Sequence, residues 1–126
     1  MLILQGTEDP LVPFNGGAVT VFGMRRGKIV STEQAVQKWV AHNQCQRDAL
    51  KEDLPDKDPK DGCTVTRFRY PKGMDRTEVV LYRIDGGGHT WPNGTQYLAE
   101  KLIGKVCRDI DGSEIIWEFF KSHPRP

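Results

Sequence analysis

Two short blocks of this sequence place an acid and a base where they could move a proton on a bound substrate. The first is Gly6-Thr7-Glu8-Asp9-Pro10-Leu11-Val12-Pro13. Its carboxylate, Asp9, lies just past the run Met1-Leu2-Ile3-Leu4-Gln5, whose apolar residues are consecutive rather than alternating. That pattern predicts a strand covered on both faces, as in a parallel sheet. Ligands of open α/β sheets bind beyond the carboxyl ends of such strands. An acid beside Pro and Gly also serves simply as a turn cap, so this block alone leaves both roles open.

The second block is Gly86-Gly87-Gly88-His89-Thr90-Trp91-Pro92, which follows another apolar run, Glu78 to Ile84. Three glycines let the backbone turn sharply and carry an imidazole to the end of the sheet. The two blocks together say more than either alone. A carboxylate on one ring nitrogen fixes the tautomer of a histidine, and the other nitrogen then takes a proton from a nucleophile. Asp9 is the favoured acid. Asp85, four residues before His89, is the alternative. His42 reads as a solvated helix residue, and His123 as a cation at a helix C-terminus.

The elements that must position these residues follow from local pattern. Residues 10–30, with Pro13, Gly16, Gly17, Gly23 and Gly27, read as loop. Ser31 with Gln34 forms a capping box. The helix it opens has Ala35, Val36, Trp39 and Val40 on its apolar face and ends near Asn43. Residues 46–62, charged and holding Pro55, Pro59 and Gly62, read as a mobile surface loop. Thr64 to Tyr70 alternates as a strand and pairs with Glu78–Ile84 as a hairpin. A short helical stretch is expected near Gln96–Ile103. A final helix runs from Ser113 to Ser122, capped by Asp111 or Ser113, with Ile115, Ile116, Phe119 and Phe120 inward, and Pro124 stops it. The order predicts an α/β fold, one domain or part of one, whose sheet edge is left open to pair with another chain.

Composition bounds the partners. In 126 residues, 37% are hydrophobic and 28% charged, and the formal net charge is +1 with basic residues scattered. Neither nucleic acid nor an anionic membrane is indicated. No apolar run approaches the roughly 18 residues of a membrane span. Met1 leads straight into the strand-like run, so no signal peptide is read. The three cysteines show no metal-ligand spacing, and no cofactor motif is present. Cys45 and Cys63 could close a disulfide that leaves Cys107 over, or all three are thiols. Asn93-Gly94-Thr95 matches a glycosylation sequon, a weak pattern by itself.

The segments GTEDPLVPFNGG, STEQAVQKWVAHNQC, VVLYRIDGGGHTWPNG and RDIDGSEIIWEFF resemble the C-terminal half of the polyhydroxybutyrate depolymerase / feruloyl esterase (LpqC-like) family of α/β-hydrolases. The resemblance covers nearly the whole chain in order. It implies the C-terminal portion of an α/β-hydrolase sheet, about three strands and two main helices across 1–126. The N-terminal strands and the nucleophile elbow are expected to be missing. It makes Asp9 the triad acid, His89 the base, Trp91 a wall of the substrate cleft and Val12 a further lining residue. Chain order in these hydrolases is Ser, acid, His, which Asp9 and His89 fit. The family is usually secreted, and no compartment is readable from the chain itself.

The departures carry equal weight. Only Ser31, Ser113 and Ser122 are present, none in a G-x-S-x-G elbow, and Ser31 and Ser113 read as helix caps. The family tends to place a cysteine where this chain has Tyr70-Pro71-Lys72-Gly73, so Cys45 lacks its expected partner. Three readings follow. One is a piece or short relative of a serine esterase acting on feruloyl-type or polyhydroxyalkanoate esters, inactive alone. Another is a non-catalytic oligomer or ligand-binding protein. The third is half of a split esterase completed by a complementing N-terminal half.

Overall fold

The computed structural model describes residues 1–21 and 23–124. Four strands form one mixed sheet in the order β1-β6-β5-β4. These are β1 (Leu2–Gly6), β4 (Leu50–Asp53), β5 (Thr64–Tyr70) and β6 (Val79–Asp85). β1 pairs parallel to β6, with Gly6 opposite Ile84, whereas β6–β5 and β5–β4 are antiparallel. β2 (Gly17–Val21) and β3 (Met24–Ile29) make a separate two-stranded ribbon. The helices are α1 (Thr32–His42), α2 (Glu100–Ile103) and α3 (Gly112–Ser122).

Alternation along β6 divides the core into two layers. Val80, Tyr82 and Ile84 point into a cluster with Cys63, Val65, Cys107 and Ile110, against which Ile115 and Phe119 of α3 pack. Val79 and Leu81 point the other way, onto Val36 and Val40 of α1, Cys45 and Tyr70. β6 is therefore covered on both faces, and its near-continuous apolar sequence is the consequence. β1 sits at the sheet edge and its residues are mostly half-buried. Ser31 caps α1 in the expected box: its hydroxyl accepts from Gln34 N, and its own N–H donates to the Gln34 side chain.

Several expectations are corrected. Residues 10–30 are not all loop but carry the β2–β3 ribbon. Residues 46–62 are not a free surface loop. They add β4 to the sheet, and the next turn is tethered where buried Asp109 accepts from the N–H groups of Lys57 and Asp58. The helix near 96–103 shrinks to the single turn of α2. In α3, Asp111 is the cap and accepts from Glu114 N. Phe120 is not inward but 63% exposed, as is Trp117. Cys45 and Cys63 lie in the two different core layers, on opposite sides of the sheet, so the Cys45–Cys63 disulfide is excluded. All three cysteines are buried free thiols.

Candidate active site

Because β1 and β6 run parallel and in register, the two chemical blocks leave the sheet side by side. Thr7 N–H donates to Ile84 O at 2.9 Å, and Glu8 N–H to Gly87 O at 3.0 Å. Gly86 N–H donates to the Thr7 hydroxyl at 3.0 Å. The approach is so close that a Cβ on Gly6 would lie 2.1 Å from Gly87 O. Glycine at position 6 is thus a steric requirement of the junction.

The Asp9 loop is held largely by Asp9 itself. Its Oδ1 accepts from the N–H groups of Leu11 and Val12, both at 2.8 Å. Gln5 donates to Asp9 Oδ2 at 3.3 Å and to Val12 O at 3.1 Å, bracing the acid against its own loop. The His89 loop is held differently. Gly88 N–H donates to Lys105 O, His89 N–H to Ile103 O, and the Thr90 hydroxyl to Lys105 O. The Tyr97 hydroxyl closes the set by donating to His89 O at 2.9 Å.

These two supports bring Asp9 Oδ2 to 2.9 Å from His89 Nδ1. A carboxylate only accepts, so Nδ1 carries the proton and donates it. The Asp9 side chain is 5% exposed and that of His89 is 42% exposed. Among the described residues, His89 Nε2 meets no hydrogen-bond partner, and His89 lines a cleft of about 360 Å³. Both candidate lining residues, Val12 and Trp91, are there, with Leu4, Ile84 and Pro92 adding apolar wall. Trp91 is 52% exposed, and its indole N–H donates to the Ser113 hydroxyl. Asp85, the alternative acid, makes no hydrogen bond to His89: it pairs with Arg83 at 3.0 Å and does not line the cleft.

No serine lines this cleft. Ser31 caps α1, Ser113 accepts from Trp91, and Ser122 donates to Phe119 O. The two hydroxyls that do line it, Thr90 and Tyr97, are committed to backbone carbonyls. The arrangement can orient an imidazole and accept a proton from a substrate or an incoming nucleophile, but it holds no activated hydroxyl of its own. The only clustering of potential metal-ligand atoms among the described residues is Asp61, Cys63 and Cys107, and none of these lines the cleft.

Sequence reasoning misses Gln5, Thr90, Tyr97 and the Ile103–Cys107 backbone. Gln5 had a signal, as a polar residue closing an otherwise apolar strand. The other contacts join segments with nothing in their local patterns to link them.

The chain is 26% identical over 125 aligned positions to the protein named "Putative esterase NocK" of Nocardia uniformis subsp. tsuyamanensis. The likeness is an esterase-like relation in sequence. The alignment covers 94% of it but 36% of that relative, so the chain spans about a third of the esterase's length. No family model matches the chain, and no solved structure matches it.

Proposed function

We propose that this esterase-like chain is the acid–base part of a serine-esterase active site of the α/β-hydrolase kind. His89 acts as general base and then general acid, and Asp9 orients it and stabilises the imidazolium. The observation that carries this reading is the Asp9–His89 hydrogen bond at 2.9 Å, made by two residues that both line an open cleft. The serine comes from a segment bearing a G-x-S-x-G elbow, which this sequence does not contain. That segment adds its strands along the outer edge of β1, which pairs with no described strand. The apolar cleft wall at Val12 and Trp91 supports an aromatic or aliphatic ester, of the feruloyl or polyhydroxyalkanoate type that the family resemblance implies.

The test is hydrolysis of a p-nitrophenyl ester. The chain alone gives a rate near background that His89→Ala does not change. Joined to a serine-bearing segment it gives turnover that His89→Ala abolishes. A clear rate from the chain alone, lost in His89→Ala, overturns the reading by revealing a nucleophile within these residues.

A further inference from the structure

Two buried thiols lie together at a point the acid–base pair does not use. Cys63 immediately precedes β5, and Cys107 follows the strip of backbone that holds the His89 loop. They share one core cluster and are 3% and 1% exposed. Their sulfurs and a carboxylate oxygen of Asp61 all lie within 4.8 Å of one another. Asp61 already fastens the two segments: one oxygen accepts from Cys63 N at 2.7 Å, the other from Arg108 N at 2.6 Å.

We propose that Cys63 and Cys107 form an intramolecular disulfide when the chain folds under oxidising conditions. Two S–H bonds are replaced by one S–S bond. The two protons and two electrons released reduce a disulfide oxidant, such as glutathione disulfide or a thiol–disulfide oxidoreductase, to its dithiol form. A metal is the competing use of these atoms. A closed structural site takes four ligands, and here three gather, one of them a carboxylate with both oxygens engaged by backbone N–H groups. Burial also pushes the Cys63 thiol up to about 12, helped by the neighbouring Asp61. A thiol so rarely ionised is a poor nucleophile once packed, so the bond forms during folding.

The bridge would matter to the cleft, though it does not depend on the esterase reading. Ile103 O, Lys105 O and Cys107 O accept from His89, Gly88 and Asn93 N–H groups. Tying Cys107 to the start of β5 fixes that backbone strip to the sheet.

Loop statistics make the test sharp. An unfolded chain closes the short Cys45–Cys63 loop more readily than the longer Cys63–Cys107 loop. Only the native fold selects the latter. The reduced chain is refolded in a glutathione redox pair, then alkylated in denaturant and mapped by mass spectrometry without reduction. The expected result is a loss of two hydrogens, one remaining thiol on Cys45, and a Tm about 10 °C above that of the reduced chain. Cys45→Ala leaves the pairing intact, and this variant keeps the test readable if Cys63→Ala fails to fold. Three alkylated thiols, a bridge that includes Cys45, or a metal ion retained in stoichiometric amount overturns the proposal.

Discussion

The Asp9 loop and the His89 loop leave neighbouring strands a few ångströms apart, yet they are built by different means. Asp9 shapes its own loop, taking two N–H groups of the residues just after it while presenting its second oxygen to His89. His89 sits on a loop with no such local staple. Its backbone is docked on Ile103 and Lys105, and its carbonyl is met by Tyr97. An acid can be placed by its own turn because a carboxylate has two oxygens, one for structure and one for function. An imidazole that must keep Nε2 free has only Nδ1 to spend, so the scaffold has to hold its main chain.

The largest expected effect separates the two duties of Asp9. In Asp9→Asn the amide oxygen can still accept from Leu11 and Val12, so the loop persists, but an NH₂ now faces Nδ1 and imposes the other tautomer. In the serine-completed enzyme kcat falls on the order of 10⁴-fold, with little change in Tm. Next comes Gly88→Ala, whose Cβ would lie 2.3 Å from Ile103 O and 2.4 Å from Gly104 Cα. The His89 loop must lift off its dock, and urea unfolding should register a loss of about 3 kcal/mol or more. The Asp9 loop should be undisturbed in the same variant, seen as unchanged amide shifts for Leu11 and Val12.

Asp9→Ala removes the staple itself and leaves two loop N–H groups without an acceptor. A loss of about 2 kcal/mol in denaturant titration is expected. Thr7→Val deletes the hydroxyl that accepts from Gly86 N, a side-chain bond that joins the two blocks where they leave the sheet. It should cost about 1 kcal/mol by the same measurement.

The smallest effect is a pH dependence beside the His89 loop. Asp111 is held below the usual carboxylate range, first by Glu114 N–H and then by the Asn93 side chain. Its contribution is present above the ordinary pKa of about 3.9 and is lost as pH falls through the lower folded value. Asp111→Asn should flatten that part of the acid limb of the thermal stability curve.

The same contrast explains what was legible in the sequence. Asp9 and its turn are encoded within eight residues, and the apolar run before them marks a strand end. Val12 and Trp91 could be named because they flank the two blocks. The dock at Ile103–Cys107 could not, because its contacts are backbone carbonyls, which any residue supplies. β2 and β3 escaped because their ribbon is almost wholly exposed and studded with glycine, so no buried stripe marks it. β4, Leu-Lys-Glu-Asp, is exposed throughout and is held by its ladder to β5 rather than by burial. In α3 the apolar residues wrap round more than one face. Ile115 and Phe119, four apart, reach the core, while Trp117 and Phe120 point outward. The cysteines illustrate the limit of spacing arguments. Cys45 and Cys63 are the nearest pair in sequence, but the sheet lies between them.

The central claim is that Asp9 sets His89 as a base with its outer nitrogen bare. Long-range ¹H–¹⁵N correlation of the histidine rings tests this most directly, because it reads which nitrogen carries the proton. The account predicts the Nδ1–H form for neutral His89 in the native chain and the Nε2–H form in Asp9→Asn. A native His89 protonated on Nε2, or a tautomer indifferent to Asp9→Asn, would contradict it.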